Sequence, residues 1–196
     1  MNSYFKYTDQ TRIESIRASH EREMRHIDRN ASRLTDEGKR IEKGRVYLEH
    51  RRQMNVLREQ FQADVKAAKS RIESSLYGAG STDPAAIVAH RDAVDRASQL
   101  KTDKAAKSAW EVAQLSGDVG LQKAIAAKAS RHGFSDTLSA HIAEHPNTAP
   151  LFQELRSIPE VGGAGEVALF RVPKPSGFGL SDDAGIERTV ANADSE

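Results

Sequence analysis

Apolar residues in the first part of the chain recur at a seven-residue interval. Ile13, His20, Ile27, Leu34, Ile41 and Leu48 form one track, with His20 as its polar member. The companion track, three residues earlier, is Arg17, Met24, Ala31, Gly38 and Arg45, and is much less apolar. Past Leu48 the phase shifts, and Met54, Leu57, Phe61, Val65, Ala68, Ile72 and Leu76 continue at three- and four-residue steps. No proline interrupts residues 9–77, and the intervening positions are rich in Arg, Glu, Lys, Gln and Ala, all good helix formers. A heptad seam with a phase change predicts a long coiled-coil helix over 9–77. So narrow a stripe needs a partner surface: a second copy, another protein, or the rest of the chain. Gly38 and Gly44 are weak points, each costing about 1 kcal/mol against Ala in a helix interior. Thr35-Asp36-Glu37-Gly38-Lys39 is therefore an alternative turn that would fold the helix into an αα-hairpin, although the sevenfold spacing across both glycines favours continuity.

Beyond an N-terminal arm (1–8) and this helix, residues 78–83 (Gly-Ala-Gly-Ser-Thr-Asp) form a hinge that leads into Pro84. Thr82 or Asp83 can cap a following helix, with Pro84 in its first turn. Thr102-Asp103 offers a second cap, ahead of Ala105, Ala109, Trp110, Ala113 and Leu115, and Gly133 suits a helix C-terminus. Residues 84–158 are thus predicted to be a small bundle of four or five short helices. Its core would be Trp110, Phe134, Leu138, Ile142 and Phe152. Residues 159–196 hold six Gly and three Pro, and most are expected to lack a fixed fold. The exception is the island 166–172, Glu-Val-Ala-Leu-Phe-Arg-Val, which has strand propensity. It reads either as a docking peptide for a partner or as a terminal strand on this protein's own bundle. The predicted class is all-α.

Composition narrows the reading. Of 196 residues, 38% are hydrophobic and 6% aromatic, so the apolar inventory is thin. The apolar runs are far shorter than the roughly 18–20 residues of a membrane span, and no secretory signal is recognisable at the start. There is no cysteine, which removes disulfides, thiolate metal sites and cysteine nucleophiles. A cytoplasmic protein is expected. The 29 basic and 28 acidic side chains balance in total but not along the chain. The net is +5 over 1–77, zero over 78–158 and −4 over 159–196, so the two ends can attract each other.

Candidate chemistry is sparse. His141-Ile142-Ala143-Glu144-His145 resembles the inverted-zincin motif H-x-x-E-H, which places two imidazoles on one helix face. That family requires a further acidic ligand from a distant helix, and here a Gly/Pro-rich tail follows while Pro146 ends the helix at once. A solvent-facing pair near a helix C-terminus is the reading preferred. His20-Glu21-Arg22-Glu23-Met24 is an H-E-x-x-H with Met in the second ligand position, on a surface stretch of the helix. Gly162-Gly163-Ala164-Gly165 lacks the strand and helix of a phosphate loop. No catalytic, cofactor or metal site is assigned, and the sequence argues against an enzyme.

The layout resembles that of the small helical assembly proteins of tailed phages, the scaffolding or head–tail-region components. In those, a long charged helix oligomerises and a terminal peptide engages the shell. The resemblance implies a structural protein of virion assembly, in the host cytoplasm or the virion, that works as a homo-oligomer or bound to a larger assembly. The contact residues would be Ile27, Leu34, Ile41 and Leu48 on the seam, with Val167, Leu169, Phe170 and Val172 in the tail. The alternative is a nucleic-acid-associated regulator whose phosphate contacts come from Arg12, Arg17, Arg22, Arg25, Arg29 and Arg33. Acids interleaved at Glu14, Glu21, Glu23 and Asp28 favour instead the solvated face of a coiled coil.

Overall fold

Helix boundaries follow the local chemistry of capping. In a computed structural model, which describes residues 3–30, 34–80 and 82–195, a 3₁₀ turn at Ser3–Tyr7 leads into α1 (Gln10–Arg29) and then α2 (Asp36–Tyr77). Five helices follow: α3 (Pro84–Ser98), α4 (Asp103–Leu115), α5 (Val119–His132), α6 (Ser135–Glu144) and α7 (Ala149–Ser157). The chain ends with α8 (Ala164–Leu169) and α9 (Asp183–Ala193). The class is all-α, with no strand among the described residues. None of these helices is long and apolar enough to cross a membrane. Ala31 of the companion track, Arg33 of the arginine series and Ser81 of the hinge lie outside the described residues.

The chain divides into two compact units, Met1–Val65 with Pro159–Glu196, and Lys66–Ile158. The helix expected over 9–77 is two helices. Asp9 caps α1 by accepting the N–H of Arg12, and the turn closes with the Asn30 N–H on the His26 carbonyl. Thr35 then caps α2, its hydroxyl oxygen accepting the Gly38 N–H at 3.0 Å, with Asp36 and Glu37 in the positive first turn. Capping thus starts a new helix where heptad spacing alone predicted continuity, and Gly38 sits inside the first turn of α2. The two helices run antiparallel: Asp28 pairs with Lys43 at 2.5 Å, and farther from the turn Glu23 lies 3.5 Å from His50. This is the αα-hairpin, and its second helix begins within the stretch 35–39 proposed for the turn.

Hairpin formation also resets the register. On α1 the buried face is Ile13, Ile16, His20 and Ile27. On α2 it is Tyr47, His50, Met54, Phe61 and Val65. Tyr47, Met54 and Phe61 keep sevenfold spacing one residue out of phase with Ile41 and Leu48, which are half-buried at the edge. Leu34, beside the turn, is 37% exposed.

The C-terminal residues expected to be loose belong to this unit. Phe170, Val172, Phe178 and Ile186 are all buried. The Phe170 ring packs 5.5 Å from Phe61, which is itself stacked on Tyr4 at 5.8 Å. The predicted strand island is the short helix α8 and the residues after it, because backbone pairing needs a neighbouring strand and the surrounding elements are helices. Gly44, a weak point by propensity, lies against Phe178 and α9. A Cβ there would meet Phe178 Cζ at 2.9 Å, Val190 Cγ2 at 3.0 Å and Ile186 Cγ2 at 3.3 Å.

In the second unit Asp83 caps α3, Thr102 caps α4 and Asp118 caps α5, each accepting a backbone N–H from the first turn. The α6 terminus is capped from another helix: Asp103 accepts the N–H groups of Asp136 and Thr137 at 2.9 and 3.0 Å, and the Thr137 hydroxyl at 2.6 Å. That hydroxyl first, with the two amides against slight burial, holds the Asp103 carboxyl below its ordinary range. Helix α5 is central, burying Ile125 together with Ala124, Ala126, Ala127 and Ala129, whose small side chains allow close helix approach. One side of the core joins Trp110 to Ala93, Ala97, Ala106 and Leu121. The other joins Ile72, Leu76 and Tyr77, at the end of α2, to Leu138 and Phe152, while Phe134 and Ile142 are partly buried against it. That packing puts the expected hinge at 78–83 inside this unit.

A larger side chain at Gly44 must displace the tail. Gly44→Leu is expected to lose about 1–3 kcal/mol of tail docking by overpacking. Hydrogen exchange should accelerate over 183–193 while α2 stays protected.

Candidate functional site

Three regions bear on function. The first is the tail clamp of the N- and C-terminal unit. Glu166 on α8 is fully buried, 0% exposed, among polar partners. It pairs with Arg58, accepts from Gln62 Nε2 at 2.6 Å, and accepts from the Gly162 N–H at 2.7 Å. Burial pushes this carboxyl up, but the amide of Gly162 and the donors of Arg58 and Gln62 outweigh it and hold it below the ordinary range. Asp183, at the start of α9, accepts from the Tyr47 phenol at 2.6 Å and from Arg51 Nε at 3.2 Å. Burial, then the bond to Asp183, pushes the Tyr47 phenol up to about 12, so it stays a donor. Arg17 Nη2 donates to the carbonyls of Ala168 and Leu169 at 3.2 and 2.7 Å.

His20 completes the clamp. The polar member of the heptad track, it is buried, with Nε2 3.1 Å from the Pro173 carbonyl. A carbonyl only accepts, so Nε2 carries the proton and Nδ1 is left without a partner. The ring meets His50 edge-on at 5.4 Å. Burial and then the His50 charge push the His20 imidazole below its ordinary value, against the raising effects of the Pro173 bond and Glu23. Arg17, His20, Met24, Lys43, Arg171 and Lys174 are among the residues around an open cavity of about 650 Å³ beside the 168–176 segment.

The second region is the H-x-x-E-H string, which is not the solvent-facing pair expected. His141 is buried and accepts the Trp110 indole N–H at Nδ1, at 3.3 Å. His145 Nε2 is held by the Gln122 carbonyl oxygen at 3.2 Å, and the Gln122 amide donates to the Ala113 carbonyl. The two rings lie 4.8 Å apart, with Glu144 exposed. Both imidazoles are thus engaged in core hydrogen bonds. Among the described residues no group of three or more His, Cys, Asp or Glu side chains is placed to hold a metal ion. Burial foremost, with the charges of His145 and Lys123, pushes His141 down to about 4.

The third region is an exposed apolar group at the α4–α5 turn. Leu115 is 90% exposed, Val112 64% and Val119 52%. Val112 and Leu115 stand one turn apart on the same helix face. The buried face of α4 is Ala106, Trp110 and Ala113. Leu115, expected to extend the buried pattern, points elsewhere.

The contact residues expected from sequence divide by burial. Ile27, Phe170 and Val172 are buried within their own unit, and Ile41, Leu48 and Leu169 are half-buried. Leu34 and Val167, 54% exposed, face solvent. Sequence reasoning missed Glu166, Arg58 and the role of Gly44, because each acts on residues more than a hundred positions away. The charge asymmetry between the first and last segments was the one signal for them. On α1 Arg25 pairs with Glu21 and Arg17 donates to tail carbonyls, while on α2 Arg40 pairs with Glu37, Arg45 with Glu42 and Asp194, and Arg52 with Glu49. No family model, curated protein or solved structure matches the chain.

Two outcomes follow from the buried polar groups. Glu166→Ala leaves Arg58, Gln62 and the Gly162 amide without their acceptor. It should cost about 3 kcal/mol, seen as faster proteolysis within 159–195, while Glu166→Gln, which keeps a carbonyl oxygen, should cost less. His141 binds its proton less readily folded than unfolded, so stability should be full above the unfolded value of about 6.5 and fall as pH drops from there towards 4. The total loss should be about 3 kcal/mol at most. Denaturation followed by Trp110 fluorescence at pH 7 and pH 5 checks it, with His141→Gln flattening the slope.

Proposed function

We propose that this is a non-catalytic assembly protein that acts through protein–protein contacts, with the α4–α5 end of its five-helix bundle as the contact surface. The exposure of Leu115, flanked by Val112 and Val119, is the observation that carries this reading. Contiguous exposed apolar side chains beside a polar surface mark interaction sites in proteins of this kind. The motif histidines support it too, since His141 commits its Nδ1 to Trp110 and His145 its Nε2 to Gln122.

The reading keeps the class suggested by the resemblance to tailed-phage assembly proteins but relocates the contacts. That resemblance rests on an extended oligomerising helix and a free terminal peptide. Here the helix is a hairpin and the tail residues Phe170 and Val172 are buried against their own unit. The nucleic-acid alternative has less support, because acids are interleaved among its arginines on α1, where Arg25 pairs with Glu21 and Arg17 is held by the Ala168 and Leu169 carbonyls.

Self-association is the form of assembly to test first. Light scattering on a sizing column is expected to give an oligomer for the natural chain, and a monomer of unchanged helicity for Leu115→Glu. A natural chain that stays monomeric at every concentration would overturn self-assembly. An oligomer unaffected by Leu115→Glu would move the contact away from this surface.

A further inference from the structure

The cavity of about 650 Å³ beside His20 has an uneven charge balance. Its two carboxylates are already matched: Asp28 pairs with Lys43 at 2.5 Å and Glu21 with Arg25 at 3.1 Å. Three further cations line the same space, Arg17, Arg171 and Lys174. Among the described residues none of the three lies within 4.0 Å of a carboxylate. Arg17 is fixed in place by its bonds to the Ala168 and Leu169 carbonyls, and Lys174 by the Ser181 carbonyl at 2.7 Å. Arg171 is exposed and makes no hydrogen bond or ion pair with any described residue. Carbonyl partners orient a cation without neutralising it, and the nearest acidic influence on the three is that of Asp183 on Lys174. Met24, Pro173 and Pro175 supply an apolar wall beside them.

We propose that this cavity binds a small phosphate-bearing molecule, its phosphate held by Arg17, Arg171 and Lys174 and its organic body lying on Met24 and the two prolines. Two guanidinium forks and an ammonium match the several acceptor oxygens of a phosphate better than the two of a carboxylate. The cavity volume lies within the range of small-molecule sites, roughly 300–1,000 Å³. The His20 ring also lines the cavity, its Nε2–H committed to the Pro173 carbonyl. The ligand would touch α1 and the 168–176 segment together, so it would also bind the tail more firmly to the hairpin. This site is independent of the contact surface at Leu115.

The experiment is an NMR titration of the full chain with inorganic pyrophosphate, at constant ionic strength held with sodium chloride. Saturable shifts are expected at residues 17–24 and 168–176, with half-saturation below millimolar. Arg171→Ala with Lys174→Ala removes two exposed side chains and should keep the fold, as checked by its unshifted amides elsewhere. That variant should bind at least about tenfold more weakly, the loss of one or more charged hydrogen bonds. Shifts that grow linearly without saturation would overturn the proposal. So would binding unchanged in the double variant. Shifts centred instead on Tyr47 and Arg51 would also overturn it, because Arg171 and Lys174 border a neighbouring cavity of about 590 Å³ there.

Discussion

Two helices packed side by side cannot cover a stripe as wide as the one α2 carries, and the N-terminal hairpin is organised around that deficit. Tyr47, Met54 and Phe61 project from α2 beyond what Ile13, Ile16 and Ile27 of α1 can shield. The C-terminal residues supply the missing surface through Phe170, Val172, Phe178 and Ile186. Bringing that segment in also places the Glu166 carboxylate where water does not reach. A buried charge is tolerated only when paired and fully hydrogen-bonded, and Arg58, Gln62 and the Gly162 amide meet that condition. Apolar cover and polar satisfaction are therefore one constraint, and the tail fold follows from it.

The same constraint explains features that look unfavourable in isolation. Gly44 weakens a helix by propensity, yet any side chain there would collide with Phe178, Val190 and Ile186. A polar His20 on an otherwise apolar track is accepted because the Pro173 carbonyl receives its proton. In the bundle, an imidazole at position 141 is accepted because the Trp110 indole donates to it. Each is a polar or small residue at a buried position with a specific neighbour, and the neighbour makes it favourable.

Function divides between surfaces that the core does not consume. The α4–α5 end leaves Leu115 in solvent although the adjacent Trp110 and Ala113 are buried, which is why the assembly reading rests there. The tail segment leaves the Arg171 and Lys174 side chains exposed, although its neighbours Phe170 and Val172 are core. Alternation over residues 170–172 buries one side chain and frees the next. A single segment thereby both holds the fold and lines a cavity.

Local chemistry was readable along the chain. Asp83, Thr102 and Gly133 mark helix ends through short-range bonds and backbone freedom, and the spacing of Trp110, Leu138 and Phe152 marks a core. The all-α class rests on such signals, which act within a few residues. Tertiary structure decided the hairpin, because a heptad track runs across a turn as readily as through a helix. The Thr35 cap is itself local, but only the antiparallel pairing of Asp28 with Lys43 folds α2 back along α1. It also decided the tail. Gly and Pro content describes a segment's entropy when free, and says nothing of the apolar face waiting for it on α2. The cavity cations, finally, are separated by some 150 positions in sequence, and only folding brings Arg17 beside the 168–176 segment.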